Sequence, residues 1–394
     1  MLPTINNRSP NRRNKWFSFS TASLALNVLL GAGLLYVSGV FDSTTDSHEN
    51  TRFLKRDMEE FDPYAYQSSK PSFTVVVLGS EGGPVESDIS GYLFKPYAGS
   101  SSDGWMAVEA GTLMHGIQKA YQKGSFSRIS NVPECTYDDR KCIVAAGTLM
   151  REHIKGYMFS HGHLDHMSGF VIGTAGDKGG KTIYGINDTT SSIINNVFNN
   201  YAWPNMGDQG NFPIKQYTYQ TIDNTKYYPL PNNMSTSAFP VTHGTIGPAP
   251  LNSTAFFIRN DANGDEAIYF GDVGPDSIEL LPRIIDVWRH AAPLVRANKL
   301  RAIFIESSYT SARPGKSLFG HLTPVYIREE LLVLAKLVGG NKPLRGLNVV
   351  ITHTKPDITN TTINVRHTIA QELRATNDLG VNYILPVIGQ RLDF

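Results

Sequence analysis

The sequence predicts an α/β fold in which two β-sheets pack face to face and helices cover their outer faces. Strand-like apolar runs dominate residues 73–110, and strands then alternate with helical segments toward the C-terminus. This order is typical of a sheet-on-sheet core with flanking helices. The chain has 394 residues, of which 41% are hydrophobic, so it can bury one large core.

Local patterns predict the individual elements. The β-branched run 73–78 ends at Gly79 and is typical of a buried strand. Further strands are expected at 92–96, 106–110, 156–160, 182–185, 238–242, 253–259, 266–270, 300–305 and 347–352. Helices are expected at 111–123, 145–153, 189–199, 281–298, 324–337 and 362–377. Residues 200–235, rich in Tyr, Asn, Pro and Gln, are predicted to form a long insertion over the functional site.

The N-terminal part of the chain has the charge pattern of a membrane segment. Residues 1–15 carry only basic charges, residues 16–41 carry none, and acids follow within the polar linker 42–70. This pattern predicts a cytosolic N-terminus and a transmembrane signal-anchor. The domain 71–394 is then expected in the secretory lumen or outside the cell, and a cleaved signal segment with a secreted protein is the alternative. Beyond residue 41, four Asn-x-Ser/Thr sequons agree with translocation and begin at Asn187, Asn233, Asn252 and Asn360.

Charge and cysteine content narrow the classes of partner. The formal net charge is +1, which gives no global electrostatic reason to expect a nucleic-acid binder. The two cysteines, Cys135 and Cys142, match neither a Cys-x-x-Cys metal knuckle nor a redox motif. They are either two free thiols or the ends of a small disulfide-closed loop, which requires an oxidising compartment.

Residues 160–169, SHGHLDHMSG, hold an unusual density of metal-binding side chains. His161 and His163 point to the same side of an extended loop, because side chains alternate with period two. Asp165 and His166 follow where the chain turns into a helix, and they can address a second ion beside the first. Imidazole and carboxylate groups are the usual ligands of zinc and related metals, so the stretch predicts a metal centre.

Four further polar residues each follow an apolar strand, and they are His243, Asp272, Glu306 and His353. Strand ends gather on one edge of a sheet, which is where α/β proteins place their sites. We therefore expect these four residues to lie beside the histidine-rich stretch. His321, in the sequence Phe-Gly-His-Leu-Thr-Pro, is either a functional residue or the N-cap of the following helix.

The histidine stretch and the later strand-end residues resemble the signature of the metallo-β-lactamase superfamily. Four segments narrow the resemblance to the class II cyclic-nucleotide phosphodiesterases: 78–84 (LGSEGGP), 160–169, 203–205 (WPN) and 270–277 (FGDVGPDS). The resemblance covers about residues 72–394 and implies a four-layer αββα metallo-β-lactamase-like sandwich. Glu109 departs from the pattern, because superfamily members often have Asp at this position.

The resemblance implies two divalent metal ions, which we expect to be Zn²⁺, and a set of seven ligands. One ion would be held by His161, His163 and His243, the other by Asp165, His166 and His353, with Asp272 bridging the two. Such a pair activates a water and clamps the attacking and leaving oxygens of a phosphodiester. The implied activity is hydrolysis of 3′,5′-cyclic AMP, and of cyclic GMP, to the nucleoside 5′-monophosphate, with Asp165 among the catalytic residues.

The resemblance also implies roles beside the metals. His321 would protonate the leaving ribose oxygen, and Glu306 would orient its imidazole. The residues expected to contact substrate are Gly82, Gly83, Trp203 and Asn205, with Tyr217 and Tyr219 as candidates for stacking on the base.

Two other functions fit part of the pattern. A tRNA 3′-processing endonuclease of the same fold shares the metal motifs and the Glu/His pair. It needs an electropositive surface for a long RNA backbone, and no Lys/Arg-rich segment of residues 71–394 supplies one. A membrane-anchored binding protein with an inactive site is the non-enzymatic alternative, and the complete ligand set disfavours it. The sequence makes no prediction about oligomeric state.

Overall fold

The structure is a computed structural model that describes residues 70–97, 104–126, 135 and 139–394. The predicted segments 1–15 and 16–41, and all but the last residue of the linker 42–70, lie outside the described residues. Within the described part, no helix combines the length and the apolar character needed to cross a bilayer.

The first sheet has an antiparallel and a parallel half. Its strands are β1 (Phe73–Gly79), β2 (Gly91–Pro96), β3 (Trp105–Ala110), β4 (Ile154–Met158), β5 (Lys181–Gly185), β6 (Tyr217–Thr221) and β14 (Arg391–Asp393). Their order is β14-β1-β2-β3-β4-β5-β6, and the pairs from β3 to β6 are parallel. The parallel strands therefore end along the same edge of the sheet.

The second sheet repeats this layout. Its strands are β7 (Tyr228–Leu230), β8 (Met234–Ile246), β9 (Ala249–Asn260), β10 (Asp265–Phe270), β11 (Leu300–Glu306), β12 (Asn348–Thr352) and β13 (Asn382–Ile384). Their order is β13-β12-β11-β10-β9-β8-β7, and the pairs from β10 to β13 are parallel.

Helices cover the outer face of each sheet. The helices are α1 (Met114–Gln122), α2 (Asp139–Thr148), α3 (Leu164–Gly173), α4 (Asn187–Ser192), α5 (Ile284–Arg296), α6 (Pro324–Val338) and α7 (Val365–Ala375). Residues of α1, α2 and α3 share a buried apolar cluster with the first sheet, and residues of α5, α6 and α7 share one with the second sheet.

A third apolar cluster joins the two sheets face to face. Tyr92 of β2 packs against Tyr269 of β10 with ring centroids 5.4 Å apart, and Phe94 packs against Phe304 at 5.3 Å. Every residue of β1 is buried, because alternate side chains of this strand face the helices and the second sheet. The predicted α/β architecture of two stacked sheets is confirmed.

Residues 200–235 differ from the prediction of a long insertion. They contain β6 and β7, which form the edges of the two sheets. The prediction failed because both strands are short and carry polar or exposed residues, as in the Tyr-Thr-Tyr-Gln-Thr sequence of β6. Such edge strands lack the apolar runs by which interior strands are recognised.

The two cysteines are joined in a disulfide. Cys135 pairs with Cys142, which lies in the first turns of α2. The disulfide-closed loop is therefore the correct one of the two alternatives that the sequence left open.

Candidate metal centre

The histidine-rich stretch lies between the end of β4 and the first turn of α3. His161 and His163 belong to the connecting loop, and the extended backbone of His163 forms the N-cap of the helix. Helix α3 begins at Leu164, so Asp165 and His166 lie in its first turn. The change from loop to helix directs these four side chains into a single region.

Four strands of the second sheet supply the residues that lie opposite the histidine-rich stretch. His243 lies in β8, where the pairing of this strand with β9 shifts register. Asp272 follows β10, Glu306 is the last residue of β11, and His353 directly follows β12. His353 has a φ of 56°, in the left-handed region that few non-glycine residues adopt. The turn at this residue therefore ends the strand sharply.

Ligand-type atoms from these residues form two groups, each with its atoms within 4.8 Å of one another. The first group is His161, His163, His243 and Asp272, and the second is Asp165, His166, Asp272 and His353. The grouping coincides with the two ligand sets implied by the sequence motifs. Asp272 belongs to both groups.

The two carboxylate oxygens of Asp272 face different groups. Its Oδ2 lies 3.9 Å from Nε2 of His161 and 3.6 Å from Nε2 of His243. Its Oδ1 lies 3.3 Å from Nε2 of His166 and 3.2 Å from Nε2 of His353. One carboxylate in this position can therefore bridge two cations.

Several polar atoms at the centre are buried without a hydrogen-bond partner. They include Nε2 of His161, both ring nitrogens of His166 and Oδ1 of Asp272. Buried polar groups in folded proteins are nearly always paired, because leaving one unpaired costs about 1–3 kcal/mol. Imidazole nitrogens and carboxylate oxygens that converge in this way fit the donor set of two divalent cations.

Contacts behind the ligands fix the orientation of two imidazoles. Nδ1 of His243 lies 2.8 Å from the carbonyl oxygen of Gly320. Since a carbonyl oxygen only accepts, Nδ1 carries the proton and Nε2 keeps its lone pair for a metal. Nδ1 of His161 lies 2.9 Å from Oγ of Ser160, which leaves Nε2 of this residue directed toward Asp272.

Glu109 supports the second group from behind. It is fully buried, its Oε1 accepts the Ser160 amide at 3.1 Å, and the same oxygen lies 3.6 Å from Nδ1 of His166. Burial raises the pKa of Glu109, and the His166 ring opposes this rise. The glutamate that departs from the superfamily pattern therefore lies directly behind a candidate ligand, at the distance of an ion pair.

The electrostatics of the centre suit metal ligands. Burial lowers the pKa of His161, His243 and His353, which favours the neutral imidazole that a metal requires. Burial alone would raise the pKa of Asp165 and Asp272, but the neighbouring histidines lower both below the usual value. His166 differs, because Asp272, Asp165 and Glu109 raise its pKa well above the usual value despite its burial. The ligand set thus combines imidazoles that burial keeps neutral, one imidazole held among three carboxylates, and ionised carboxylates.

His321 is held by Glu306 at the edge of the two groups. Nδ1 of His321 donates to Oε1 of Glu306 at 2.8 Å, and the amide of Val273 donates to the same oxygen at 2.9 Å. Ser308 donates its hydroxyl to Oε2 of Glu306 at 2.6 Å, and its oxygen lies 3.0 Å from Nδ1 of His353. Ser308 therefore links His353 to Glu306, although no sequence motif points to this serine.

His321 also lies near the shared carboxylate. Its Nδ1 is 3.8 Å from Oδ2 of Asp272, and a third group of potential ligands comprises Asp272, Glu306, His321 and His353. Burial lowers the pKa of His321, but Glu306 and Asp272 outweigh it, and the net pKa lies above the usual value. Because Nδ1 is already bound to Glu306, the geometry favours an oriented, protonated imidazole.

Gly82 and Gly83 lie directly behind a candidate ligand. A Cβ on Gly82 would come within 2.4 Å of the His353 ring, and Gly83 has a φ of 71° that favours glycine. Lys355 donates from Nζ to the Gly82 carbonyl. Both glycines are buried, and Gly82 packs against His353 while Gly83 lies near Ile89. The Gly-Gly turn could be predicted, whereas Lys355 has no sequence signal that identifies it.

Trp203 and Asn205 are not brought to the metal groups. Trp203 packs against the apolar cluster between the first sheet and its helices, and its Nε1 donates to Oγ1 of Thr174 at 3.0 Å. Asn205 is fully buried and donates to the carbonyls of Gln209 at 2.8 Å and Asn211 at 3.0 Å. These side chains hold the loop before β6 together, and their contact with substrate stays a prediction.

Tyr217 and Tyr219 are likewise committed to packing. Tyr217 is fully buried in β6 and donates its hydroxyl to Oδ2 of Asp177 at 2.7 Å. Tyr219 packs against the same apolar cluster as Trp203. Stacking of either ring on a base is therefore not supported by their positions.

Two stacked mixed sheets between helices, with two His/Asp groups at the strand ends, define a metallo-β-lactamase-like protein. Comparison with solved structures supports this class. The structure of unliganded yeast PDE1 matches with a TM-score of 0.72 at 23% identity, covering 82% of this chain and 100% of that chain. At this identity the match establishes the fold.

Sequence comparisons define the family. The family described as "cAMP phosphodiesterases class-II" matches residues 73–389. A 3′,5′-cyclic-nucleotide phosphodiesterase of Aliivibrio fischeri is 36% identical, over 84% of this chain and 96% of that protein. A protein of the same description from Schizosaccharomyces pombe is 34% identical, over 72% and 82% of the two chains. The chain belongs to the class-II cAMP phosphodiesterase family, and the family predicted from its motifs is confirmed.

Proposed function

We propose that this chain hydrolyses 3′,5′-cyclic AMP and 3′,5′-cyclic GMP to the nucleoside 5′-monophosphates. The observation that carries the proposal is the pair of His/Asp groups that share Asp272, in a chain of the class-II family. The relatives described as 3′,5′-cyclic-nucleotide phosphodiesterases support the choice of substrate.

The donor set suits two Zn²⁺ ions, which we propose as the resident metals. They would be held by His161, His163, His243, Asp165, His166, His353 and the shared Asp272. When bound, two such ions neutralise the phosphate and make a water nucleophilic at neutral pH. Asp165 acts in the reaction as a member of the second group.

The chain itself supplies the proton for the leaving oxygen. Opening of the cyclic phosphate at O3′ leaves an alkoxide, which needs a proton to depart readily. His321 binds Glu306 through Nδ1, so its Nε2–H is the donor toward the ribose oxygen. Glu306 is a positioning residue, because it fixes the ring and favours the imidazolium form.

The two alternative functions have less support. The matching family and the bacterial and yeast relatives are described as phosphodiesterases of cyclic nucleotides, and none of these descriptions is that of a nuclease. A binding protein with an inactive site has no physical need to keep both ligand groups and the His321–Glu306 pair.

The purified protein tests the proposal directly. Incubation with cyclic AMP, cyclic GMP and a precursor tRNA should give 5′-AMP and 5′-GMP and leave the tRNA intact. Exhaustive chelation should stop the reaction, and added Zn²⁺ should restore it. Wild-type hydrolysis that survives complete removal of metal would refute the metal mechanism, and cleavage of the tRNA alone would favour the nuclease.

We further propose that residues 16–41 anchor the protein in a membrane and that residues 71–394 lie in the secretory lumen or outside the cell. The Cys135–Cys142 disulfide supports an oxidising compartment. Asn187, Asn233 and Asn360 are exposed and accessible to a glycosyltransferase, while the amide of Asn252 is bound to Asp188 and Arg283.

Glycosidase digestion and extraction test this location. Glycans are expected at the three exposed sequons and not at Asn252, and the protein should stay in the membrane fraction at high salt. A full-length protein without glycans that fractionates with cytosol would contradict the anchor.

A further inference from the structure

A cavity of about 610 Å³ opens beside the metal centre, and none of the steps described above uses it. His163 and His243 form the wall that faces the metal centre. Gly320, which directly precedes His321, forms another part of the wall. The cavity therefore lies within reach of both the phosphate-binding groups and the proton donor, where the nucleoside part of a substrate must extend.

The rim of this cavity is apolar and open to solvent. Its lining includes Ile246, Leu280 and Phe319, whose exposed fractions are 66%, 66% and 69%. Phe319 has a φ of 53°, a backbone conformation that a bulky residue seldom adopts. Exposed apolar side chains around a concave surface mark a ligand site, and flat aromatic ligands fit such walls.

Glu279 contributes a fixed carboxylate to the cavity wall. The amide of Gly244 donates toward this carboxylate and lowers its pKa, although burial raises the pKa overall. A Cβ on Gly274 would lie 1.8 Å from Oε1 of Glu279, so the Glu279 side chain packs directly against the backbone of Gly274. A carboxylate has about four acceptor positions, and the bond to Gly244 leaves others for a ligand.

We propose that this cavity binds the purine base of the cyclic nucleotide and that Glu279 favours guanine over adenine. The proposal rests on the proposed function. Guanine presents two donors side by side, N1–H and the 2-amino group, which one carboxylate can accept together. Adenine presents one amino donor beside the lone pair of N1, which a carboxylate repels. A site built for paired donors rejects an analogue that lacks one.

A second cavity, of about 520 Å³, is lined by Tyr309, Arg313 and Lys355, and the ring of Tyr309 lies 5.8 Å from that of His321. Its walls contain none of the histidines of the metal groups. We therefore assign the base to the cavity that His163 and His243 border, and the second cavity becomes an alternative outcome of the test.

The decisive variant is Glu279→Gln in the metal-loaded protein. The amide oxygen can keep the bond from Gly244, and the amino group then faces the base. This N–H donor cannot pair with the N1–H donor of guanine, but it can donate a hydrogen bond to N1 of adenine. The ratio of kcat/KM for cyclic GMP to that for cyclic AMP should fall about tenfold or more, the usual worth of one paired base contact. Calorimetry should show that the affinity for 5′-GMP falls by a similar factor relative to the affinity for 5′-AMP.

Glu86→Gln is the matched control, because Glu86 is exposed and lies outside the cavity wall. It should leave the ratio unchanged. Phe319→Ala should weaken 5′-GMP and 5′-AMP alike, since it removes apolar contact with either base.

Three results would overturn the inference. They are an unchanged kcat/KM ratio in Glu279→Gln, equal losses of 5′-GMP and 5′-AMP affinity in the calorimetry of this variant, and a larger loss of 5′-GMP affinity in Tyr309→Ala than in Phe319→Ala. A wild-type protein that hydrolyses neither cyclic nucleotide would refute the proposed function itself, so the two failures are distinguishable.

Discussion

Replacing His321 by alanine separates protonation of the leaving oxygen from metal binding. The imidazole is bound to Glu306 at 2.8 Å and belongs to neither of the two groups that contain His161, His163, Asp165 and His166. Both metals should therefore remain bound, while kcat for cyclic AMP falls by about 10²–10⁴, the usual contribution of a general acid. This loss corresponds to about 3–5 kcal/mol of activation free energy.

A substrate with an acidic leaving group provides the internal control. Bis(p-nitrophenyl) phosphate releases a nitrophenolate that departs without protonation, so His321→Ala should lose far less activity on it than on cyclic AMP. The assay compares kcat on the two substrates and measures bound metal by mass spectrometry. Equal losses on both substrates, or loss of a metal, would show that His321 is a ligand or a structural residue.

Glu306→Gln tests the carboxylate behind His321. Four groups donate to Glu306 at distances up to 3.3 Å, and they are His321, Val273, Ser308 and Leu322. Removing the negative charge lowers the pKa of His321, whose protonated form is the active one. Activity is lost as pH rises through this pKa, so the alkaline limb of the kcat profile should move to lower pH in Glu306→Gln. A limb that stays in place would contradict the assignment.

Three further outcomes are expected. His163→Ala and Asp165→Ala should each lower the metal content and abolish turnover, which metal analysis and product assays measure. Asn205→Ala should lower the free energy of unfolding in urea titrations by about 1–3 kcal/mol through loss of its three side-chain hydrogen bonds, while kcat of the folded fraction stays unchanged. Burial raises the pKa of Glu330 to about 7. Its protonated form favours the folded state, so Glu330 lowers the free energy of unfolding by up to about 3 kcal/mol as pH rises from about 4.5 to 7. Glu330→Gln should abolish this fall, which urea titrations at several pH values measure.

The interior of the fold follows from the sequence because its strands are apolar on both faces. The run in β1 and the runs in β10, β11 and β12 are buried almost throughout, and each was predicted within one or two residues. Strand β8 is 13 residues long, although only 238–242 could be predicted. The rest of β8 includes several Thr, Ser and Gly residues, whose strand conformation is imposed by pairing with β9 rather than by their own preference.

The candidate site could be predicted where an ionisable residue directly ends a buried apolar strand, because such a residue seldom serves packing alone. Asp272 and His353 are of this kind, since each follows a buried strand. Ser308, Glu279 and Lys355 could not be predicted, because serine, glutamate and lysine are common near turns and only the folded chain shows what they touch. The sequence alone does not separate two roles for the tyrosines of β6, since aromatic rings suit both base stacking and core packing.

The metal centre lies across the seam between the two halves of the sandwich. The loop after β4 and the start of α3 belong to the first sheet, whereas His243, Asp272 and His353 come from the second. A cation bound to both sides is a reversible cross-link, and mass action sets its strength. At a free metal concentration about 1,000 times its Kd, one such ion adds about 4 kcal/mol to the free energy of unfolding. The temperature at which this protein unfolds therefore reports the supply of metal in its compartment.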